Sequence, residues 1–127
     1  MKKVLPILLA VLLLVGCAAP AEEISYRQIS MTDAVTMMEE ETGYIILDVR
    51  TPEEFAEKHI PGAVNVPNET IGTEEISELP DKDQLILVYC RSGNRSKQAS
   101  EKLAALGYTN IVEFGGINDW PGETVTE

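Results

Sequence analysis

An apolar run passes directly into a short basic loop in the stretch Leu85-Ile86-Leu87-Val88-Tyr89-Cys90-Arg91-Ser92-Gly93-Asn94-Arg95-Ser96. The apolar part is typical of a central strand buried on both faces of a sheet. A helical pattern begins at Ser96 and closes at Gly107, as expected of a helix with glycine after its last turn. Ligands of open α/β sheets bind beyond the carboxyl ends of the strands. Cys90 lies at such an end, so we expect the chemistry of this protein there.

The loop after Cys90 predicts a binding site for an anion. A turn at Gly93 lets successive backbone N–H groups point at one position, and the dipole of the following helix adds positive charge there. These groups favour the thiolate form of Cys90, which is the reactive form. Arg91 and Arg95 flank the loop and act in the same direction. As alternatives, Arg91 could pair with one of the many carboxylates, and Arg95 could be a solvated helix residue.

The remaining pattern alternates strands with helices. Strands are predicted at 44–49, 63–67 and 111–114 besides 85–89, and helices from Ser30 to Gly43, from Pro52 to a point before Ile60, from Thr73 to Leu79 and from Ser96 to Gly107. Such alternation predicts an α/β domain with a mainly parallel central sheet and helices on both faces.

Composition limits the functions that this chain can have. The chain has 127 residues, and 44% of them are hydrophobic, which fits one globular domain. Ten basic residues against 21 acidic ones give a net charge of -11, which argues against a nucleic-acid partner because phosphate binding needs basic clusters. Two distant cysteines exclude a disulfide-dense scaffold and a four-cysteine zinc site. We expect no metal, no other cofactor and a monomer.

The N-terminus has the pattern of an export signal. Lys2 and Lys3 precede an apolar run over 4–15, which is shorter than the roughly 20 residues that a membrane-spanning helix needs. The run ends in Leu14-Val15-Gly16-Cys17, which resembles the lipobox of bacterial lipoproteins, where the cysteine is acylated. We therefore predict a lipoprotein signal peptide over 1–16, a flexible tether over 17–23 and the domain over 24–127.

This division predicts a domain in the bacterial cell envelope, outside the cytoplasm, anchored to the lipid bilayer through acylated Cys17. The alternative is a secretory peptide cleaved near Ala18, with Cys17 incidental.

Four ordered motifs together resemble the rhodanese family. They are Leu47-Asp48-Val49-Arg50-Thr51-Pro52-Glu53-Glu54-Phe55, His59-Ile60-Pro61-Gly62-Ala63-Val64-Asn65-Val66-Pro67, Cys90-Arg91-Ser92-Gly93-Asn94-Arg95-Ser96 and Gly115-Gly116-Ile117-Asn118-Asp119-Trp120. The resemblance covers Ile24 to the C-terminus. It departs from the family at Lys58, where a glycine is usual. We expect this difference to affect a turn and not the chemistry.

The resemblance implies a single-domain sulfurtransferase. Cys90 would take sulfane sulfur from a small sulfur-containing anion such as thiosulfate, become a persulfide, and pass the sulfur to a thiol or to cyanide. The six residues from Cys90 to Arg95 match the loop length associated with sulfur substrates. The substrate-binding residues would be those of the loop: Arg91, Ser92, Gly93, Asn94, Arg95 and Ser96. The persulfide would need a thiol acceptor or a reductant protein.

Two further positions are candidates for a role beside the loop. Asp48 and Arg50 follow a buried strand, so they could order the active loop by hydrogen bonds and ion pairing, or Asp48 could cap nearby backbone N–H groups. His59 is the one histidine of the chain, and we expect it to be structural because an activated thiolate needs no base.

Two other functions remain open. A thiol-based phosphatase or arsenate reductase would use the same thiolate and arginine, but Arg95 leaves a loop one residue shorter than the Cys-x5-Arg of such sites. An exported binding module of the same fold would not need Cys90, which this chain retains.

Overall fold

The computed structural model describes residues 25–126. The predicted signal peptide, the tether and Cys17 lie outside these residues. Within the described range, no helix combines the length and the apolar character that crossing a bilayer requires.

Five parallel strands form one sheet in the order β1-β5-β4-β2-β3. The strands are β1 (Arg27–Gln28), β2 (Ile45–Asp48), β3 (Val64–Asn65), β4 (Ile86–Cys90) and β5 (Ile111–Gly116). The predicted α/β class with a parallel central sheet is confirmed. The strand β1 was not predicted, because a two-residue edge strand leaves no periodic pattern in the sequence.

In the part of the chain that the structure describes, three α-helices cover the sheet: α1 (Met31–Glu40), α2 (Pro52–Glu57) and α3 (Asn94–Ala105). The side chain of Ser30 caps α1 by accepting a hydrogen bond from Asp33 N–H at 3.0 Å. Thr51 and Glu54 form a capping box at the start of α2, whose first residue is Pro52. These caps confirm the predicted helix starts, whereas α3 begins at Asn94, two residues before the predicted Ser96.

The acidic helix predicted for 73–79 is absent, and this segment contains bends and a turn. A helix this short depends on tertiary packing for its stability, because nucleation is costly. The segment instead buries Leu79 against the core, with its carbonyl accepting a hydrogen bond from Tyr108 Oη at 2.6 Å. At the end of α2, Lys58 has extended backbone (φ −172°), so the position that is usually glycine in the family needs none here.

Two hydrophobic clusters lie on opposite faces of the sheet. The first packs under α3 and includes Cys90, Ala99 and Leu103, while the second packs under α1 and includes Ala34 and Tyr89. All members of both clusters lie between residues 26 and 120. A fragment spanning residues 18–127 therefore contains both of these clusters.

Candidate active site

Cys90 is the last residue of β4, and it is 1% exposed. Its neighbours on the sheet are β2 and β5, so the carboxyl ends of three strands meet around it. The register between β4 and β5 shifts here, because Val88 pairs with Glu113 while Cys90 pairs with Gly116. This bulge bends β5 beside the loop that follows Cys90.

The loop wraps its backbone around the Cys90 sulfur. Gly93 N–H donates a hydrogen bond to Cys90 Sγ at 3.0 Å, and Cys90 Sγ lies 3.5 Å from Ser96 Oγ. Gly93 has φ +117°, a conformation that glycine adopts at no steric cost. The turn that the sequence predicts at Gly93 is therefore present, and it aims the N–H group at sulfur.

The environment of Cys90 favours its thiolate. Burial raises the pKa of the thiol, but hydrogen bonds from the Ser96 hydroxyl and from the backbone N–H groups of Ser96, Gly93 and Ser92 outweigh burial. The net effect lowers the pKa of Cys90 below its ordinary value. Ser92 and Asn94 have exposed side chains, so the backbone is what Ser92 contributes to the cradle.

Gly116 in β5 packs directly against the backbone of the loop. A Cβ atom at Gly116 would lie 1.9 Å from the carbonyl oxygen of Arg91, well inside contact distance. The same carbonyl accepts a hydrogen bond from Asn118 N–H at 3.2 Å. Glycine is therefore required at position 116, because the backbone of β5 approaches the loop backbone too closely for a side chain.

Both loop arginines bind one carboxylate, that of Glu54 on α2. Arg95 Nη1 donates to Glu54 Oε1 at 2.7 Å, and Arg91 Nη2 donates to Glu54 Oε2 at 3.0 Å. Hydrogen bonds from Arg95, then from Thr51 and Arg91, outweigh burial and hold the pKa of Glu54 far below its usual range. The pairing of Arg91 with a carboxylate is the alternative that the sequence left open, and binding of a substrate anion by either arginine stays a prediction.

Asp48 and Arg50 form a buried network on the opposite face of the sheet from Cys90. Arg50 Nη2 donates to Asp48 Oδ2 at 2.6 Å and to the Lys58 carbonyl at 2.7 Å. Tyr89 Oη also donates to Asp48 Oδ2 at 2.6 Å, and burial, followed by its contact with Asp48, raises the pKa of Tyr89. Asp48 further accepts the backbone N–H of Arg50 at 2.9 Å. The contacts of Asp48 thus include backbone capping and ion pairing.

Arg50 also borders a surface cleft near the loop, although it is only 3% exposed. It lines a cleft of about 280 Å³ together with Arg91 and Asn118, and the remaining lining residues are Glu54, Glu57, Lys58 and Ile117. Arg50 therefore links the buried network to the rim of the active loop. Support of the loop by Asp48 and Arg50 stays a prediction.

His59 has structural contacts. Its ring is 3% exposed, stacks on Phe55 with centroids 3.6 Å apart, and places Nδ1 2.8 Å from the Phe55 carbonyl. Its backbone pairs with Val125. Among residues 25–126, no three His, Cys, Asp or Glu side chains cluster as metal ligands would.

Glu54 and Glu113 are the two site residues that the sequence did not single out for the active loop. Glu113 lies in β5, is 2% exposed and accepts a hydrogen bond from Ser96 Oγ at 2.5 Å. Its signal in the sequence is a lone carboxylate inside the apolar run at 111–114. Glu54 has no such signal, because an acidic residue in the first turn of a helix is ordinary.

Comparisons with known proteins identify the family of this chain. A family model, the rhodanese-like domain, matches residues 30–123. The chain belongs to the rhodanese family. The thiosulfate sulfurtransferase PspE of Escherichia coli K12 is 38% identical to this rhodanese over 73 residues, which are 58% of this chain and 70% of PspE. The thiosulfate sulfurtransferase GlpE of Pseudomonas entomophila is 32% identical over 104 residues, which are 78% of this chain and 92% of GlpE.

Solved structures show the same fold. A structure described as a rhodanese with anions from E. coli is 36% identical and matches with a TM-score of 0.60, covering 66% of this rhodanese and 99% of that chain. The rhodanese-like domain of the Anabaena protein Alr3790 is 27% identical and matches with a TM-score of 0.71, covering 81% of both chains. The named relatives support sulfurtransferase activity for this rhodanese.

Proposed function

We propose that this rhodanese transfers sulfane sulfur from thiosulfate or a similar small anion through a Cys90 persulfide to a thiol or to cyanide. The observation that carries the proposal is the position of Cys90 Sγ, which lies at the end of β4 with Gly93 N–H 3.0 Å away. Hydrogen-bond donors around sulfur stabilise an anion there, whether it is the attacking thiolate or a persulfide.

Each half of the reaction exchanges one sulfur–sulfur bond. The Cys90 thiolate attacks the outer sulfur of thiosulfate, the bond within thiosulfate breaks, and sulfite leaves with the electron pair. The terminal sulfur of the resulting persulfide carries the negative charge. An acceptor thiolate then attacks that sulfur, and Cys90 leaves as the thiolate that began the cycle. With cyanide as acceptor, the product is thiocyanate.

The two arginines make the rim of the loop suitable for an anionic donor. Arg91 has 60% of its side chain exposed and Arg95 has 31%, so both can meet a ligand from solvent. A divalent anion that reaches them must compete with the single carboxylate of Glu54. The E. coli neighbour described as a rhodanese with anions has a fold that matches this chain, which supports an anionic ligand here.

The test is the intact mass of the fragment 18–127, in which Cys90 is the one cysteine. Thiosulfate should add the mass of one sulfur atom, and cyanide should then remove it. The variant Cys90→Ser should show no gain while keeping the fold. No gain in the wild-type fragment, with Cys90 reduced and reactive to alkylation, would contradict thiosulfate as donor.

The same samples distinguish sulfur transfer from the two alternative functions, a binding module and a thiol phosphatase. A binding module would still bind its partner in the Cys90→Ser variant, because serine and cysteine have side chains of similar size. A thiol phosphatase would hydrolyse p-nitrophenyl phosphate with Cys90 present and form no cyanide-sensitive adduct. Either result, in place of the sulfur adduct, would overturn the proposed reaction.

We further propose that acylated Cys17 holds the domain at a membrane of the bacterial cell envelope, outside the cytoplasm. Support comes from the lipobox-like Leu14–Cys17 after the apolar run. Several acyl chains provide a stable anchor, because each buried CH₂ contributes about 0.8 kcal/mol. Expression of the full chain with a clickable fatty acid should label the wild type and leave Cys17→Ala unlabelled. Labelling of both proteins, or of neither, would contradict the anchor.

Such a location implies a thiol acceptor or reductant protein as partner. Cys90 would be the one remaining thiol of the mature protein, and an exposed persulfide outside the cytoplasm meets oxidants. A dithiol protein should therefore discharge the persulfide of the fragment 18–127, with loss of one sulfur mass. A persulfide that is stable to every dithiol protein tested, yet sensitive to cyanide, would contradict this partner class.

A further inference from the structure

Glu113 is a buried carboxylate directly beneath the active loop. It lies on the same face of the sheet as Ile111 and Cys90, because side chains alternate along a strand. Its Oε2 atom accepts hydrogen bonds from Ser96 Oγ at 2.5 Å and from Gly115 N–H at 3.0 Å, and its Oε1 atom accepts one from Gln28 Nε2 at 3.3 Å. Burial of a charged carboxylate is unfavourable, so this position requires a reason.

Ser96 connects this carboxylate to the reactive sulfur. Its hydroxyl is fully buried and lies 3.5 Å from Cys90 Sγ and 2.5 Å from Glu113 Oε2. The hydroxyl has one proton to donate and also lies 2.9 Å from the Gly93 carbonyl. The direction of its hydrogen bond must therefore depend on which neighbour is ionised.

Two arrangements of protons satisfy the hydrogen bonds that run from Cys90 through Ser96 to Glu113. With a Cys90 thiol, the S–H group donates to Ser96 Oγ, and Ser96 donates to the Glu113 carboxylate. With a Cys90 thiolate, Ser96 donates to sulfur, and its oxygen then faces Glu113 Oε2 at 2.5 Å. Two oxygens at this distance need a proton between them, and the Glu113 carboxyl is the group that can carry it.

We propose that Glu113 accepts the thiol proton of Cys90 through Ser96, a step that rests on the proposed function and deepens it. The S–H bond of Cys90 breaks, and sulfur keeps the electron pair. Ser96 Oγ takes that proton and passes its own proton to Glu113 Oε2. The net change is one proton moved from Cys90 to Glu113, with no oxidant or reductant. The negative charge moves to sulfur, where Gly93 N–H stabilises it.

Other charged groups surround this pair, and none of them lies in the hydrogen-bonded chain from sulfur to Glu113. They are Arg95 and Lys97 on α3, Arg91 in the loop, Glu54 on α2 and Tyr26 before β1. The Asp48–Arg50 pair lies on the opposite face of the sheet. Their fields shift the pH at which the pair titrates. They do not change the number of protons that the pair shares.

The shared proton has a signature in the pH profile of Cys90 reactivity. While the pair holds one proton in total, the fraction of thiolate within it is independent of pH. Alkylation of the fragment 18–127 by iodoacetamide should therefore show a flat region below its high-pH rise. In Glu113→Gln, the proton leaves to solvent, and the rate should fall about tenfold per pH unit without a flat region.

Matched variants distinguish a proton that is shared between Cys90 and Glu113 from a change in the electrostatic field at Cys90. Ser96→Ala keeps both titratable groups but removes the hydrogen bonds that couple them, so its flat region should be narrower than that of the wild type. The double variant should behave as Glu113→Gln does. Glu101→Gln removes an exposed carboxylate from α3 and should keep the wild-type profile. Near-ultraviolet circular dichroism checks the fold, and Ser96→Ala carries the test if Glu113→Gln does not fold.

A flat region that survives in Glu113→Gln, or that is unchanged in Ser96→Ala, overturns the proposal. A wild-type profile with a single tenfold-per-unit fall overturns it as well. Alkylation uses no sulfur donor, so the two proposals fail separately. A flat region without a persulfide contradicts the proposed function, whereas a persulfide without a flat region contradicts the role of Glu113.

Discussion

Glu54 and Arg95 form a bidentate ion pair that joins α2 to the start of α3. Arg95 Nη1 lies 2.7 Å from Glu54 Oε1, and Nη2 lies 3.1 Å from Glu54 Oε2. Glu54 Oε2 also accepts the Arg91 guanidinium. The anion site predicted from the two arginines thus already contains an anion that belongs to the protein.

Removal of the Glu54 charge should strengthen the binding of thiosulfate. Glu54→Gln keeps the capping box, because glutamine replaces glutamate at that helix position, and it frees both guanidinium groups from a competing carboxylate. Partly exposed ion pairs contribute up to about 1 kcal/mol, so the KM for thiosulfate should fall by up to about fivefold.

Steady-state kinetics on the fragment 18–127 measure this change. Glu53→Gln removes an exposed charge one residue earlier in α2 and should leave KM within error of the wild type. A higher KM in Glu54→Gln would show that Glu54 positions the arginines for the donor instead of competing with it.

The same ion pairs predict how stability depends on pH. The pKa of Glu54 is held below its ordinary value of 4.5 in the folded protein, chiefly by Arg95, so the unfolded chain binds the proton more readily. The contribution of Glu54 is therefore complete above the unfolded pKa and decreases as pH falls toward the folded pKa. Urea unfolding should show the wild type more stable than Glu54→Gln at pH 7, with a difference that shrinks below about pH 4. A difference that grows toward acid pH would contradict the pairing.

Gly116→Ala should displace the loop that surrounds Cys90. The added Cβ would lie 1.9 Å from the Arg91 carbonyl oxygen, so the backbone of the loop must move. We expect a stability loss of about 1–3 kcal/mol and a large loss of sulfur transfer. Thermal unfolding and transfer to cyanide measure the two effects. Gly72→Ala, where the new Cβ meets no atom within 4 Å, should leave both unchanged.

Asp48→Asn should destabilise the fold strongly, since it leaves the buried Arg50 guanidinium without its counter-charge. Removal of one partner from a buried pair costs about 3–5 kcal/mol. Urea unfolding checks this value. Asp33→Asn, at an exposed position in the first turn of α1, should lose less than about 1 kcal/mol.

A second variant tests whether the buried charge is the cause. Asp48→Asn combined with Arg50→Met should be more stable than Asp48→Asn alone, because no unpaired charge remains. Equal stability of the double and single variants would assign the loss to packing around Asp48.

Sequence patterns predicted the parts of this protein that depend on neighbours along the chain. The apolar run before Cys90 predicted the central strand, and Pro52 with its following glutamates predicted the start of α2. The turn at Gly93 follows from local backbone freedom. The short helix predicted for 73–79 was wrong because a helix of this length depends on tertiary packing, and burial of Leu79 ordered the segment differently.

The partners of the active loop depended on tertiary structure. Glu54 meets Arg95 from 41 residues away, and Glu113 meets Ser96 from 17 residues away. Both contacts follow from the strand order, which places β2 and β5 on either side of β4. Local propensity and periodicity carry no information on which strands become neighbours, since that choice is made by burial of the whole sheet. The amino-acid sequence therefore singled out Cys90 as the candidate nucleophile, whereas the tertiary fold determined which carboxylates contact Arg95 and Ser96.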